Sequence, residues 1–192
     1  SLIELNEYRK SNFVNKENIL EMLKKQPLRY GVDDKNIIDL TNDITKFADN
    51  IISKQKTKLN GKFKFGFSAP TYIIKSTDKK ATFDGRKDGD PFGVHISSDK
   101  SSLAYTELIQ FASKLDYTNS RFNGNVIDFM ITPSFIENNF NKMVDFLILS
   151  ISLGFFQMQM NVISSEILIK AKENPKDYQG LIVRVWGFSA YF

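Results

Sequence analysis

The sequence predicts an α/β fold, because segments with helical and strand-like patterns alternate through its second half. This alternation is typical of strands joined by crossover helices. The 192 residues, of which 42% are hydrophobic and 25% charged, suit one globular domain with a real core rather than a disordered chain. The alternating segments, beginning with a helix, are residues 103–115, 125–131, 137–153, 155–163, 165–172 and 181–186.

The clearest predicted strand is residues 155–163, with the sequence FFQMQMNVI. Successive side chains of a strand point to opposite faces. Met158 and Met160 therefore share one face, and Gln157, Gln159 and Asn161 share the other. This polar stripe indicates a barrel lumen or a pocket, in which the amides either line a substrate cavity or are buried and bonded to their neighbours.

Two helices are predicted in the first half of the chain. The first covers residues 16–25 and ends before Pro27, and the second covers residues 33–54, with Asp33 or Asp34 as its N-cap. Apolar residues with helical spacing are expected to form one face of the second helix. They are Ile37, Ile38, Leu40, Ile44, Phe47, Ala48, Ile51 and Ile52.

A strand and a long loop are predicted next. Residues 62–74 alternate as a strand does, and residues 76–102 contain three glycines, a proline and many polar residues. Loops of more than about 15 residues in compact domains are usually functional or disordered. Asp84 and Arg86 are predicted to make structural bonds that hold the turns of this loop, with direct substrate contact as the alternative.

Composition and charge exclude several classes of function. The net charge is +4 and the pI about 9.1, but the lysines are spread among acidic residues, which predicts no nucleic-acid partner. The longest apolar run, residues 143–156, is too short to span a membrane, and no secretory signal is visible, so a cytoplasmic location is expected. No cysteine is present and His95 is the single histidine, so we predict no metal site and no disulfide.

The last 32 residues contain a specific set of motifs, which lead up to VRVWGFSAY at residues 183–191. With the preceding Asn161-Val162, Pro175 and Tyr178, this ending resembles that of the pyruvate formate-lyase-like glycyl radical enzymes. Further motifs resemble the same family and occur in its order. They are YGVDD at 30–34, DGRKDGDPF at 84–92, KLDY at 114–117 and NGNVIDFMI at 123–131.

The resemblance implies a fold, a site and partners. Residues 1–85 would form the carboxy-terminal end of the family's β/α barrel, and residues 92–192 the terminal glycine radical domain. Gly187 would carry the radical, installed by a separate radical-SAM activating enzyme that uses an iron–sulfur cluster and S-adenosylmethionine, with no cofactor bound to this chain. The residues implied to support the radical loop are Arg184, Val185, Trp186, Phe188, Ser189 and Tyr191.

Glycine suits a radical at position 187 for a chemical reason. Loss of an α-hydrogen leaves a planar carbon whose spin spreads over both flanking amides, and a side chain would crowd that geometry. The alternative is an ordinary turn or bulge glycine after a buried strand. Arg184 likewise has two interpretations, since it either orients the loop through backbone carbonyls or forms a surface ion pair.

The chain also departs from the family pattern. The family passes its radical to an upstream cysteine, and this chain has none, so the cysteine is expected on another segment. Trp186 stands where many relatives have serine or alanine, which suggests an aromatic or arylacetate-type substrate.

Three functions therefore remain open. The first is the radical-bearing portion of an oxygen-sensitive lyase, eliminase or decarboxylase, working with a Cys-bearing remainder on a small-molecule substrate. The second is a replaceable subunit that repairs an oxygen-damaged enzyme, and the third is a non-catalytic remnant or binding module. A homodimer is compatible with all three.

Overall fold

The computed structural model describes residues 1–25, 28–66, 76–90, 92, 96, 104–120, 126–154, 157–185 and 188–191. These residues form seven α-helices and four β-strands. The helices are α1 (Leu2–Lys10), α2 (Glu17–Lys24), α3 (Lys35–Ile52), α4 (Tyr105–Ser113), α5 (Pro133–Asn138), α6 (Phe140–Leu153) and α7 (Ser165–Glu173). The strands are β1 (Val126–Ile131), β2 (Gln157–Val162), β3 (Ile182–Val185) and β4 (Phe188–Tyr191), and short 3-10 turns cover Thr118–Ser120 and Pro175–Tyr178.

Strands β1 and β2 form a parallel pair that runs from Val126 opposite Gln157 to Ile131 opposite Val162. Helices α5 and α6 connect the two strands, as a parallel pair requires. The predicted α/β fold is confirmed by this crossover. Gly154 ends α6 in the left-handed conformation, at φ 74°, which glycine adopts at little cost.

The main core lies between β1, α4 and α6. Phe111 of α4 and Ile127 and Phe129 of β1 are fully buried, and the rings of Phe129 and Phe146 meet edge to face at 5.5 Å. Met158 and Met160 of β2 pack against the same cluster, as the alternating pattern predicts. The face of the parallel pair that carries the methionines is therefore the core face.

A second, smaller core holds the amino-terminal helices against the glycine-rich loop. Phe13, Leu20 and Ala81 form its buried centre. Arg9 donates to the carbonyl of Ala81 at 3.1 Å and lies over the ring of Phe83. The first part of the long loop is thus packed against α1 and α2.

The inward side of helix α3 carries polar residues beside the buried Ile38. Thr45 and Asp49 are 1% and 3% exposed, and Asn42 pairs with the backbone after α4, accepting from the amide of Asp116 at 2.8 Å and donating to the carbonyl of Lys114 at 3.1 Å. Four residues of the predicted apolar face are about half exposed or more. They are Leu40, Ile44, Phe47 and Ile51.

The predicted helices and strands are largely confirmed, with three differences. First, segment 137–153 belongs to two helices: Thr132 caps an earlier helix that begins at Pro133, and the helical backbone is interrupted at Asn139. Residues 62–66 form no strand beyond a bridge from Lys62 back to Lys56, and residues 67–74 lie outside the described part.

The third difference is that α1 and β4 were not predicted. Ser1 and Glu4 form a capping box at the start of α1, a signal that the sequence did contain. In the described part of the chain, no helix is long and apolar enough to cross a bilayer.

Candidate functional site

The motif VRVWGFSAY at residues 183–191 lies across two paired strands. Strands β3 and β4 are antiparallel, with Ile182 opposite Tyr191 and Val185 opposite Phe188. Val185 and Phe188, the paired residues next to the connection between the two strands, are therefore three positions apart in sequence. Trp186 and Gly187, which separate them, lie outside the described residues.

Asn161 joins this antiparallel pair to the parallel pair. Its Nδ2 donates to the carbonyl oxygen of Arg184 at 2.8 Å, and its Oδ1 accepts from the amide of Arg184 at 2.8 Å. Both bonds have the distance of good N–H···O hydrogen bonds. The structure thus brings together two of the residues that the sequence singled out.

The segment between β2 and β3 returns the chain to this joint. Ser164 caps α7 by accepting from the amide of Ile167 at 3.3 Å, as a serine before a helix commonly does. A 3-10 turn from Pro175 to Tyr178 follows, and Leu181 donates to the carbonyl of Tyr178 at 2.8 Å just before β3. The family-like Pro175 and Tyr178 are therefore the residues at which the chain turns toward β3.

The three amides of β2 have different surroundings. Gln157 is exposed, Gln159 is 8% exposed and stands opposite Asp128 in the register, and Asn161 is half-buried. Only the middle amide of the stripe is thus enclosed by this chain. The polar face begins in solvent and ends at the joint with β3.

Asp84 and Arg86 lie in the loop that packs on α2. The carboxylate of Asp84 bonds to the hydroxyl of Thr82 and accepts from the amide of Arg86 at 3.4 Å. Gly85 between them has φ +90°, and a β-carbon there would meet Leu23 at 3.3 Å. A side chain at position 85 would therefore be both strained and crowded.

The guanidinium of Arg86 is buried and forms several bonds to its own loop. It donates to the carbonyls of Asp90 at 2.7 Å, Lys87 at 3.1 Å and Lys80, and stands 4.2 Å from the ring centroid of Phe92. These contacts hold successive turns of the loop together. They are the kind of contact expected of a structural residue.

A carboxylate closes the same loop. Asp88 accepts from Lys80 Nζ at 2.9 Å and from the amide of Ala81 at 2.6 Å, while its own amide donates to Asn12. The hydrogen bond from Lys80 is the main cause that lowers the pKa of Asp88, followed by the bond from the Ala81 amide. Asp88 is therefore held in its charged form, and it had not been singled out from the sequence.

An apolar cleft of about 650 Å³ opens at the carboxyl end of β1. Tyr105, Met130, Phe135 and Phe146 are among its lining residues, and the Tyr105 hydroxyl bonds to both backbone groups of Met130. The described lining includes none of the residues predicted for the site. Across the described ranges, no three His, Cys, Asp or Glu residues are grouped as a metal ion would require.

A family model described as Glycine radical matches residues 93–192, which is just over half of the chain and includes β1 to β4. The chain belongs to the glycine radical family. Its relatives are glycyl radical enzymes, and it corresponds to the carboxy-terminal part of their fold.

Individual relatives show how much of a glycyl radical enzyme the chain represents. The trans-4-hydroxy-L-proline dehydratase of Clostridioides difficile is 26% identical over 187 residues, which are 95% of this chain and 23% of the dehydratase. Its substrate-bound structure matches all of this chain and 25% of the enzyme, with a TM-score of 0.87 at 24% identity.

Two further relatives are named for different reactions, a dehydration and a decarboxylation. The glycerol-bound structure of the B12-independent glycerol dehydratase from Clostridium butyricum matches 98% of this chain and 24% of that enzyme, with a TM-score of 0.82 at 28% identity. Indoleacetate decarboxylase of Tractidigestivibacter scatoligenes is 36% identical over 87 residues, or 44% of this chain and 10% of the decarboxylase. The chain spans about a quarter of the length of the enzymes that match along most of it.

Proposed function

We propose that this chain stores an organic radical on Gly187 for a glycyl radical enzyme that cleaves C–C, C–O or other C–X bonds. The observation that carries the proposal is the joint between Asn161 and Arg184, three residues before the glycine. It fixes the strand that leads into the family's radical motif against a parallel pair in the domain core. The match of the glycine radical family model over residues 93–192 supports a radical glycine over an ordinary turn glycine.

The chemistry assigns Gly187 the storage role and a cysteine the reactive role. A glycyl radical is delocalised and comparatively unreactive toward substrate, so it takes a hydrogen atom from a thiol. One S–H bond breaks, one C–H bond forms at Gly187, and a thiyl radical results. Because the 192 residues contain no cysteine, the thiol belongs to the Cys-bearing remainder of the enzyme.

Activation requires a partner as well. We assign the first removal of a hydrogen atom from Gly187 to a radical-SAM enzyme with an iron–sulfur cluster and S-adenosylmethionine. Oxygen destroys such radicals, so the setting we propose is an anaerobic cytoplasm. The support for the activator and the setting is the family relationship.

The length of the match favours an enzyme portion over a replaceable repair subunit. A repair subunit needs only the terminal radical domain, whereas the dehydratase relative aligns with 95% of this chain. Ile38 of α3 also packs in one cluster with Phe111 and Phe129. Helix α3, which precedes residue 93, therefore packs on the core of the radical domain.

Electron paramagnetic resonance tests the radical assignment. The chain is treated with a radical-SAM activating enzyme of a glycyl radical dehydratase, S-adenosylmethionine and a reductant without oxygen, and a glycine-centred signal is expected. Gly187→Ala should abolish it. Gly180→Ala is the matched control, because a β-carbon there meets no atom within 4 Å.

Two further measurements complete this test. Exposure to air should cleave the activated chain at Gly187, and the activated chain alone should consume no substrate because it lacks a thiol. The same signal in Gly187→Ala would place the radical on another residue. Turnover of hydroxyproline, glycerol or an arylacetate by the lone activated chain would refute the two-part mechanism.

A further inference from the structure

We infer that Asn161 is a positioning residue, whose side-chain amide docks the radical-bearing strand pair onto the core of the domain. The inference rests on the proposed function for its biological meaning. Its geometry is independent of that function. It gives Asn161 a bonding role, where the alternating pattern of β2 left open a cavity or bonds to neighbouring residues.

The first step of the argument is the bonding pattern. A carboxamide offers one acceptor and one donor side by side, as the backbone of a neighbouring strand residue does. Asn161 uses both on one residue, Arg184, at 2.8 Å each. Its side chain therefore replaces a strand partner along the outer edge of β3.

The second step is the position of Asn161 within its own strand. Its backbone lies in the parallel ladder opposite Met130, and the ladder continues past it, since the amide of Ile163 donates to the carbonyl of Ile131 at 2.9 Å. The main chain of Asn161 is thus fixed by β1 while its side chain binds β3. Asn161 is therefore bonded to both of the two-stranded sheets.

The third step is the distance to the glycine. Arg184 precedes Gly187 by three residues, and consecutive α-carbons are 3.8 Å apart, so their α-carbons are within about 11 Å of each other. A restraint on both peptide groups of Arg184 therefore acts close to position 187. Aspartate or leucine would fit the volume at position 161 but could not make both bonds at neutral pH.

The substitution Asn161→Asp gives a test with a defined pH dependence. An ionised carboxylate still accepts from the Arg184 amide but turns a second acceptor toward the Arg184 carbonyl, which raises the pKa of the introduced acid in the docked state. Docking is therefore intact below the ordinary aspartate pKa of about 3.9 and is lost as the pH rises through the raised value.

The measurement is amide hydrogen exchange of the whole chain, resolved by nuclear magnetic resonance and corrected for intrinsic rates. At pH 7.5, Asn161→Asp should reduce protection of the Arg184 amide at least tenfold, and protection should recover as the pH falls toward 4. Asn161→Leu should show the loss at both pH values. Gln157→Glu makes the same change at an exposed position of β2 and should leave the Arg184 amide unchanged.

Two results would overturn the inference. One is wild-type protection of the Arg184 amide in Asn161→Asp at pH 7.5. The other is equal loss of protection in β1, which would make Asn161 a general support of the fold. Since no radical is formed in this experiment, failure of the radical assay would remove the proposed function and leave this result standing.

Discussion

Arg86 offers a direct test of whether the glycine-rich loop is held by its own contacts. Its guanidinium is 5% exposed, donates to the carbonyls of Lys80, Lys87 and Asp90, and stands over Phe92. Arg86→Met keeps an unbranched side chain, although a shorter one, and removes all three hydrogen bonds. If Arg86 instead served substrate contact, its loss would leave stability nearly unchanged.

The expected loss of stability follows from these contacts. A hydrogen bond from a charged donor contributes about 1.5–3 kcal/mol, so three would give several kcal/mol. Water can reach the freed carbonyls of a surface loop, and removal of a buried charge recovers part of its desolvation cost. We therefore expect a net loss of about 2–4 kcal/mol, which lowers the Tm of a chain of this size by about 5 to 15 °C.

Thermal unfolding followed by circular dichroism measures this change, and exchange of the Gly89 amide, which donates to Lys79 at 3.1 Å, reports on the loop itself. Lys79→Met is the control, because it removes one positive charge from an exposed side chain. A melting temperature for Arg86→Met within about 2 °C of this control would refute the structural role.

Two further predictions concern charge and surface. The bonds from Lys80 and Ala81 lower the pKa of Asp88, so the stability that they provide is present above the ordinary aspartate range and lost as the pH falls through the lowered pKa. Exchange of the Ala81 amide should show this loss. The loss should be absent in Asp88→Asn, which keeps an acceptor without the charge. On the outer face of α3, Phe47→Glu should change the free energy of unfolding by less than about 1 kcal/mol and should reduce self-association, which sedimentation measures. A loss of stability above about 3 kcal/mol would instead show that Phe47 is packed within this chain.

The sequence predicted the elements whose signals are local. Asp34 caps α3 as expected, accepting from the amides of Asn36 and Ile37, because an N-cap depends only on its immediate neighbours. The strand with alternating glutamines and methionines also lies where expected, with Met158 and Met160 on the core. Period-two alternation reports a buried face directly.

Helix α3 shows a local pattern that has two structural outcomes. The apolar stripe of α3 correctly indicated an amphipathic helix, but periodicity does not tell which face meets the rest of the same chain. Thr45 and Asp49 face inward because Asn42 and Asp49 bond to the segment after α4, a contact between residues about 70 positions apart in sequence. No helix pattern encodes such a partner.

The motif of the candidate site could be predicted from the sequence, but the residue that supports the motif could not. Gly187 and Arg184 were singled out from a contiguous stretch of sequence. The partner of Arg184 is 23 residues away, in a different sheet. A strand asparagine carries no signal of the backbone to which its amide will bond, so Asn161 was grouped with the glutamines of its own face.

The joint at Asn161 also has a kinetic meaning, because its two hydrogen bonds can break without either sheet unfolding. Two neutral hydrogen bonds contribute about 1–3 kcal/mol together. Taken alone, that restraint corresponds to an open population between about one molecule in six and one in 140, since 1.4 kcal/mol is a factor of ten. Local openings of this size recur on the microsecond-to-second timescale. Under the proposed function, an activating enzyme would meet a joint whose two bonds already open and close without it.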